Sequence, residues 1–195
     1  MTNSTNKVLK TFRVSSKNLN LYCYPQSIHA FVCWHALFSQ LEIQQREFTF
    51  KLLSDAKCEI PIITTDNEDT YLFNSHFAGI YGYFYNPSQK FKFKAYQDFK
   101  HYENILSSLR EVLNLLESRQ FNFLLKLDVI AKCLNQNYTA QQLKNVFGHR
   151  ELSLEILREI TKLSKRQSPA SLSQNQSSVH FSLDNLLNAL KDQSE

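Results

Sequence analysis

The sequence predicts an α+β protein: a small mixed α/β N-terminal domain, then an all-α, helix-turn-helix-like domain, then a flexible tail. Three observations predict it. Short β-branched or alternating stretches are confined to the residues before about 98. From there to about residue 166, apolar residues recur at the three- and four-residue spacing of helices. Residues 167–180 are rich in Ser and Gln with one Pro, too polar to pack. A chain of 195 residues can bury a core without disulfide or metal staples. Three Gly and four Pro argue against a Gly-rich-loop enzyme, a collagen-like repeat or a turn-dense sandwich, while fifteen Phe and nine Tyr exclude global disorder.

The elements follow in order. Residues 1–7 are polar and expected to fray. Val8–Tyr24 holds two alternating stretches, LKTFRV and LNLYCY, expected as strands around a Ser-Ser-Lys-Asn turn. Ser27 opens a helical stretch carrying Ile28, Phe31, Val32, Ala36, Leu37 and Leu41. Phe48–Leu53 is short and apolar. Glu59–Thr65 is β-branched and apolar, Asp66–Asp69 is a polar turn, and Thr70–Phe73 returns as a strand. Ser75–Tyr85 has the start of a helix weakened by Gly79 and Gly82, and Asn86–Ser88 is a turn. Lys90–Lys94 alternates Lys with Phe, the strand period of two, with Phe91 and Phe93 on the inner face. An edge strand guarded by lysines and a basic strand lying along a phosphate backbone both fit that pattern. Helices are then expected over Phe99–Ser118, Phe121–Leu134, Ala140–Phe147 and Leu152–Leu163, and a last amphipathic helix within residues 181–191. The domain limits are accordingly 8–98, 99–166, a linker at 167–180 and the terminal helix at 181–191.

Two further exclusions come from composition. The longest apolar candidate, Ser27–Leu41, is short and carries His29, His35 and Gln40, so no membrane span is expected. No charged n-region followed by an apolar h-region opens the chain. Cys23, Cys33, Cys58 and Cys133 show no C-x-x-C pair and no His at finger spacing, so they are expected as small buried hydrophobes in a reducing, cytoplasmic setting, with no metal and no cofactor.

The segment Tyr138–Leu157 carries the strongest local signals. Thr139 is placed as an N-cap with Gln142 completing a capping box, and Gly148 ends the helix after the apolar face of Leu143, Val146 and Phe147. A second helix with Leu154 and Leu157 inward would complete a helix-turn-helix. Glu151, Glu155 and Glu159 line that second helix, and a plain helical bundle produces the same pattern. Residues 119–166 hold nine basic side chains against four acidic ones, a local excess of +5. A DNA-contacting surface is therefore expected at Lys144, His149, Arg150, Ser153, Arg158, Lys162, Lys165 and Arg166. The aromatic run Tyr81, Tyr83, Phe84 and Tyr85 has two uses open to it, core packing and stacking on bases.

The stretch Ile60–Ala78 resembles the N-terminal domain of the ParB/sulfiredoxin-like family. The likeness is carried by Pro61, Ile62, Asp66, Tyr71, Leu72 and His76, in a strand, acidic turn, strand and helix-opening dipeptide. The resemblance implies an α/β domain followed by a helix-turn-helix, as in partition-type members. Ser75 stands where the family signature has glycine, and Phe77 and Ala78 stand for its two phosphate-binding arginines. The cysteine that sulfiredoxin chemistry needs is absent from this signature, and Cys58 precedes the strand instead. The fold is thus implied without the nucleotide or redox activity, and His76 is expected as a packed or turn-capping residue rather than a catalytic one.

The expected function is a non-enzymatic DNA-binding protein of partition or transcription-regulatory type. The alternative is a protein-interaction or assembly module whose helices and C-terminal peptide dock on partners. Phe181, Leu183, Leu186, Leu187 and Leu190 would form the apolar stripe of that peptide, taken up by a partner protein or by a second copy as a homodimer.

Overall fold

The computed structural model describes residues 8–15, 19–39, 59–65, 70–85, 90–97, 101–118 and 127–162. Among them it is mixed α/β, with a five-stranded sheet and six α-helices. The expected turns at 66–69 and 86–88, the stretch 48–53, the domain boundary at 98–99, and the linker and terminal helix at 167–191 lie outside the described residues.

The strands are β1 (Val8–Ser15), β2 (Asn20–Cys23), β3 (Glu59–Thr64), β4 (Thr70–Phe73) and β5 (Lys90–Tyr96). Each falls where β-branched or alternating residues predict it. Their order is β1-β5-β3-β4-β2. Pairing is antiparallel for β1/β5 and β3/β4, and parallel for β5/β3 and β4/β2.

That order corrects two expectations. β1 and β2, adjacent in sequence, occupy opposite edges of the sheet instead of flanking a shared turn. The Lys/Phe strand is internal, with β1 on one side and β3 on the other, so its lysines do not guard an edge. Its alternation is as expected, with Phe91, Phe93 and Ala95 buried. The register explains the lysines: Glu59 of β3 lies opposite Lys92. Lys92 donates to Glu59 Oε1, and Lys94 Nζ lies 3.4 Å from Oε2. The Lys92 hydrogen bond, with help from Lys94, holds the Glu59 carboxyl below its ordinary range. Two of the strand's three cations are thus committed to a carboxylate within the sheet.

Compactness divides the chain into two units that interleave along the sequence. The described residues of 1–27 and 42–111 form one, and those of 28–41 and 112–195 form the other.

The first unit contains the sheet and α2 (Phe77–Tyr85). Tyr83 of α2 is buried, with its ring edge-on to Phe93 at 5.3 Å and to Phe91 at 6.1 Å. Its hydroxyl accepts from the Leu19 N–H at 3.0 Å. Phe77 is also buried and packs edge-on against Phe73. Of the aromatic run, Tyr83 is therefore core, while Phe84 is exposed. α2 comes close to β3 at Gly79, where an added Cβ would stand 2.9 Å from Ile60 Cδ1. Burial of such large side chains stabilises by about 1.5–3 kcal/mol each, which offsets the helix cost of the glycine. The helix α3 (His101–Glu117) contributes to the first unit as far as Glu111 and to the second from Val112.

The second unit contains α1 (Ile28–Phe38), α4 (Leu127–Asn137), α5 (Ala140–Phe147) and α6 (Leu154–Thr161). Every residue of α1 from Ala30 to Phe38 is buried. A helix apolar all round needs cover on every face, and α4 supplies part of it. The Ala30 N–H, one of the first-turn donors that no helix satisfies internally, donates to Tyr138 Oη at 2.9 Å. Trp34 stacks on Phe38 at 4.6 Å. No described helix is long and apolar enough to cross a membrane.

Gly79→Ala is expected to destabilise the protein by less than about 1 kcal/mol, because the clash falls on the Cδ1 end of the Ile60 side chain and the gain in helix propensity offsets part of it. In an Ile60→Val background, which removes Cδ1, most of that cost should disappear. A double-mutant cycle by urea unfolding measures the coupling.

His35 gives a second prediction. Burial pushes its pKa below the ordinary 6.5. At pH below 6.5 the unfolded chain binds a proton that the native state resists, so stability falls as pH drops from 6.5 to the lowered native value. Urea midpoints measured between pH 7.5 and 5 should show a smaller drop in His35→Gln than in the wild type.

Candidate functional site

Of the eight residues expected to contact DNA, the six that are described lie on α5, on α6 with its C-cap, and on the segment joining the two helices. α5 starts as the sequence predicts. Thr139 Oγ1 accepts from the Gln142 N–H at 3.3 Å, and Gln142 Oε1 accepts from the Thr139 N–H at 2.8 Å. This reciprocal pair satisfies two otherwise orphaned donors. α5 ends at Gly148, whose φ of 79° is left-handed and whose N–H donates to the Lys144 carbonyl at 3.0 Å. Glycine adopts that conformation without the Cβ penalty.

The connection then runs from His149 to Ser153. Leu152 is buried, and its two backbone groups are both held by one side chain of α4. Asn135 Nδ2 donates to the Leu152 carbonyl at 2.8 Å, and Asn135 Oδ1 accepts the Leu152 N–H at 2.9 Å. Ser153 is the N-cap of α6, accepting from the Ile156 N–H at 3.3 Å. At the other end, Lys162 caps α6 with a left-handed φ of 55°, and the Thr161 hydroxyl donates to the Leu157 carbonyl at 2.9 Å. α4 touches both later helices, and Leu127, Ile130, Leu134, Leu143, Phe147 and Leu157 are buried in this unit.

The outer surface of these helices is mixed in sign. Lys144, His149, Arg150, Arg158 and Lys162 are exposed, and Ser153 is half-buried. So are Glu151, Glu155 and Glu159 exposed, with Asp128 and Lys132 on α4. Among the described residues of 127–162 there are five Lys or Arg against four acidic side chains. Lys165 and Arg166, and the basic Arg119 and Lys126, lie outside the described residues.

A second polar cluster sits where β4 meets α2. β2 and β4 run parallel, and beyond their shared carboxyl end the Tyr24 N–H donates to the Phe73 carbonyl at 2.7 Å. From that end leave Asn74, Ser75 and His76. Asn74 Nδ2 donates to Asn104 Oδ1 at 2.8 Å, and both side chains are buried. Ser75 Oγ lies 3.2 Å from His76 Nδ1. His76 has a left-handed φ of 56°, and its carbonyl accepts from the Ile80 N–H at 3.0 Å, so it occupies the N-terminal boundary of α2. Neither Phe77 nor Ala78 supplies a cation here, and Phe77 is spent in the core. Among the described residues no group of three or more His, Cys, Asp or Glu is arranged to hold a metal ion.

Sequence reasoning missed Asn135 and Asn104. Each is a buried or half-buried amide in an otherwise apolar or amphipathic helix, a position where Asn is a poor helix former and needs a tertiary partner. No family model matches the chain, and no curated protein or solved structure is significantly similar to it.

Asn135→Ala strands a buried N–H and a carbonyl of Leu152 at once, at a cost of about 2–3 kcal/mol. Gln136→Ala, at the exposed neighbouring position, should change stability by less than about 0.5 kcal/mol. Urea unfolding followed by far-ultraviolet circular dichroism compares the two.

Proposed function

We propose that this protein binds duplex DNA without catalysing a reaction, through α5, α6 and their connection. The observation that carries the reading is the Asn135 clamp on Leu152. It fixes the segment between two capped helices, as a helix-turn-helix needs if one helix is to be presented at a constant angle to a groove. Lys144, His149, Arg150, Arg158 and Lys162 are the side chains free to reach phosphates, with Lys165 and Arg166 continuing the basic run. Ser153, as N-cap of α6, is placed to orient that helix rather than to supply charge. A partition or transcription-regulatory role follows from the ParB-like resemblance of Ile60–Ala78, and a homodimer from uptake of residues 181–190 by a second copy.

A second reading is favoured by one observation. The exposed charges of the described helical segment nearly cancel, and a surface of mixed sign also suits a protein partner. On that reading the helices, with residues 181–190, form an assembly module.

One experiment separates the readings. Binding to mixed-sequence duplex DNA should be salt-sensitive and micromolar or tighter at low salt, with log affinity falling linearly against log salt. Arg150→Ala should reduce the salt slope by about one phosphate contact. Glu155→Gln with Glu159→Gln should tighten binding, because these carboxylates share the helix expected to approach the phosphates. No binding at low salt, or no response to removal of the two carboxylates, rejects the DNA reading at this surface.

A further inference from the structure

α4 and α5 are joined by only two residues, Tyr138 and Thr139, and both are held in place. Tyr138 is buried, and its hydroxyl accepts from the Ala30 N–H of α1 at 2.9 Å. Thr139 caps α5 through its reciprocal hydrogen bonds with Gln142. The first turn of α5 is therefore fixed in the free protein, which removes an ordering cost from any binding it takes part in. Leu143 and Phe147 bury one side of α5. The other side exposes Ala140, Gln141, Lys144 and Asn145, with one cation and no carboxylate. α6 differs, since its exposed side chains are Glu155, Arg158 and Glu159, two acids to one cation. On α5, Gln141 Nε2 donates to Asn145 Oδ1 at 2.7 Å, one turn along the same side. That bond uses one N–H of the Gln141 amide and leaves its Oε1 and its second N–H, an acceptor beside a donor.

We propose that α5 is the helix that enters the major groove, where Gln141 reads an adenine, while α6 stays against the phosphate backbone. This assignment deepens the duplex-DNA reading above and rests on it. In the major groove adenine presents its N6 amino group as a donor beside N7 as an acceptor, the complement of a Gln amide edge. Guanine presents two acceptors there, and cytosine and thymine each present one polar group, so none of them matches both atoms. The hydrogen bond to Asn145 holds the Gln141 amide in one orientation, which keeps its acceptor and donor from exchanging places. Charge points the same way. Phosphates wall a groove on both sides, and α5 brings no carboxylate between them, whereas Glu155 and Glu159 of α6 would be repelled. Lys144 lies three residues after Gln141 and so beside it on the helix surface, placed for a phosphate at the groove margin. A helix-turn-helix contacts base edges with the N-terminal residues of its second helix. Gln141 is the second residue of α5, and α4, across the two-residue joint, takes the place of the first helix.

The test selects duplexes from a randomised pool with the full-length protein at low salt and reads which base pairs are enriched. The expected site contains an A·T pair whose replacement by G·C weakens binding at least about fivefold. Placing 7-deazaadenine, which lacks the N7 acceptor, at that position should also weaken binding by the wild type, a readout that needs no variant to fold. Gln141→Ala should lose the preference at that pair while binding mixed-sequence duplex within about twofold of the wild type. Arg158→Ala should weaken binding to all sequences alike. Suppose the protein binds duplex with the salt dependence given above. An unenriched pool, a preference that survives Gln141→Ala, 7-deazaadenine bound as well as adenine, or a preference erased by Arg158→Ala then each overturns this assignment and leaves the duplex-DNA reading standing. Failure to bind any duplex at low salt overturns both and favours a protein partner.

Discussion

The constraint from which much of the second unit follows is the uniform burial of α1. Nine consecutive side chains from Ala30 to Phe38 are inaccessible, so no face of this helix can be left to solvent. A helix of that kind cannot be stabilised by its own amphipathicity and depends on what covers it. The segment is only eleven residues long, too short to hold helical structure alone in water. Its cover includes α4, and the Tyr138 hydroxyl replaces water for a first-turn donor. The interleaving of the two units along the chain is the topological consequence, because an early helix joins elements that arrive about a hundred residues later.

What the sequence makes legible here is local. The capping box of Thr139 and Gln142 and the left-handed Gly148 are contained within ten residues, so residue type and spacing define them. The inward set of β5 is equally readable, since a period of two assigns faces. Alternation says nothing about neighbours, however. The lysines of β5 look like an edge device until Glu59, some thirty positions away, is placed opposite Lys92 by the parallel β3/β5 register. Similarly, β1 and β2 read as sequence neighbours around a turn, while pairing sends them to opposite edges. The candidate site divides along the same line. Its caps are legible, but the Asn135 clamp depends on a backbone seventeen residues away.

Electrostatics and backbone fixing make unequal contributions at the α5–α6 surface. Exposed ion pairs and single exposed charges contribute little to stability, so the acids at Glu155 and Glu159 carry little structural value there. The reverse holds for the uncharged groups. Two hydrogen bonds to a buried backbone, a reciprocal cap and a left-handed glycine each stabilise by about 0.5–2 kcal/mol. The helix pair is therefore held largely by neutral, short-range interactions.

α4 is the element through which these features are joined. It packs against α1, α5 and α6, and its Asn135 clamps Leu152 in the connection between α5 and α6. Helices packed at interior density transmit small displacements rather than absorb them. Because α4 packs against α1, α5 and α6 at once, its position sets where the connection held by Asn135 can sit.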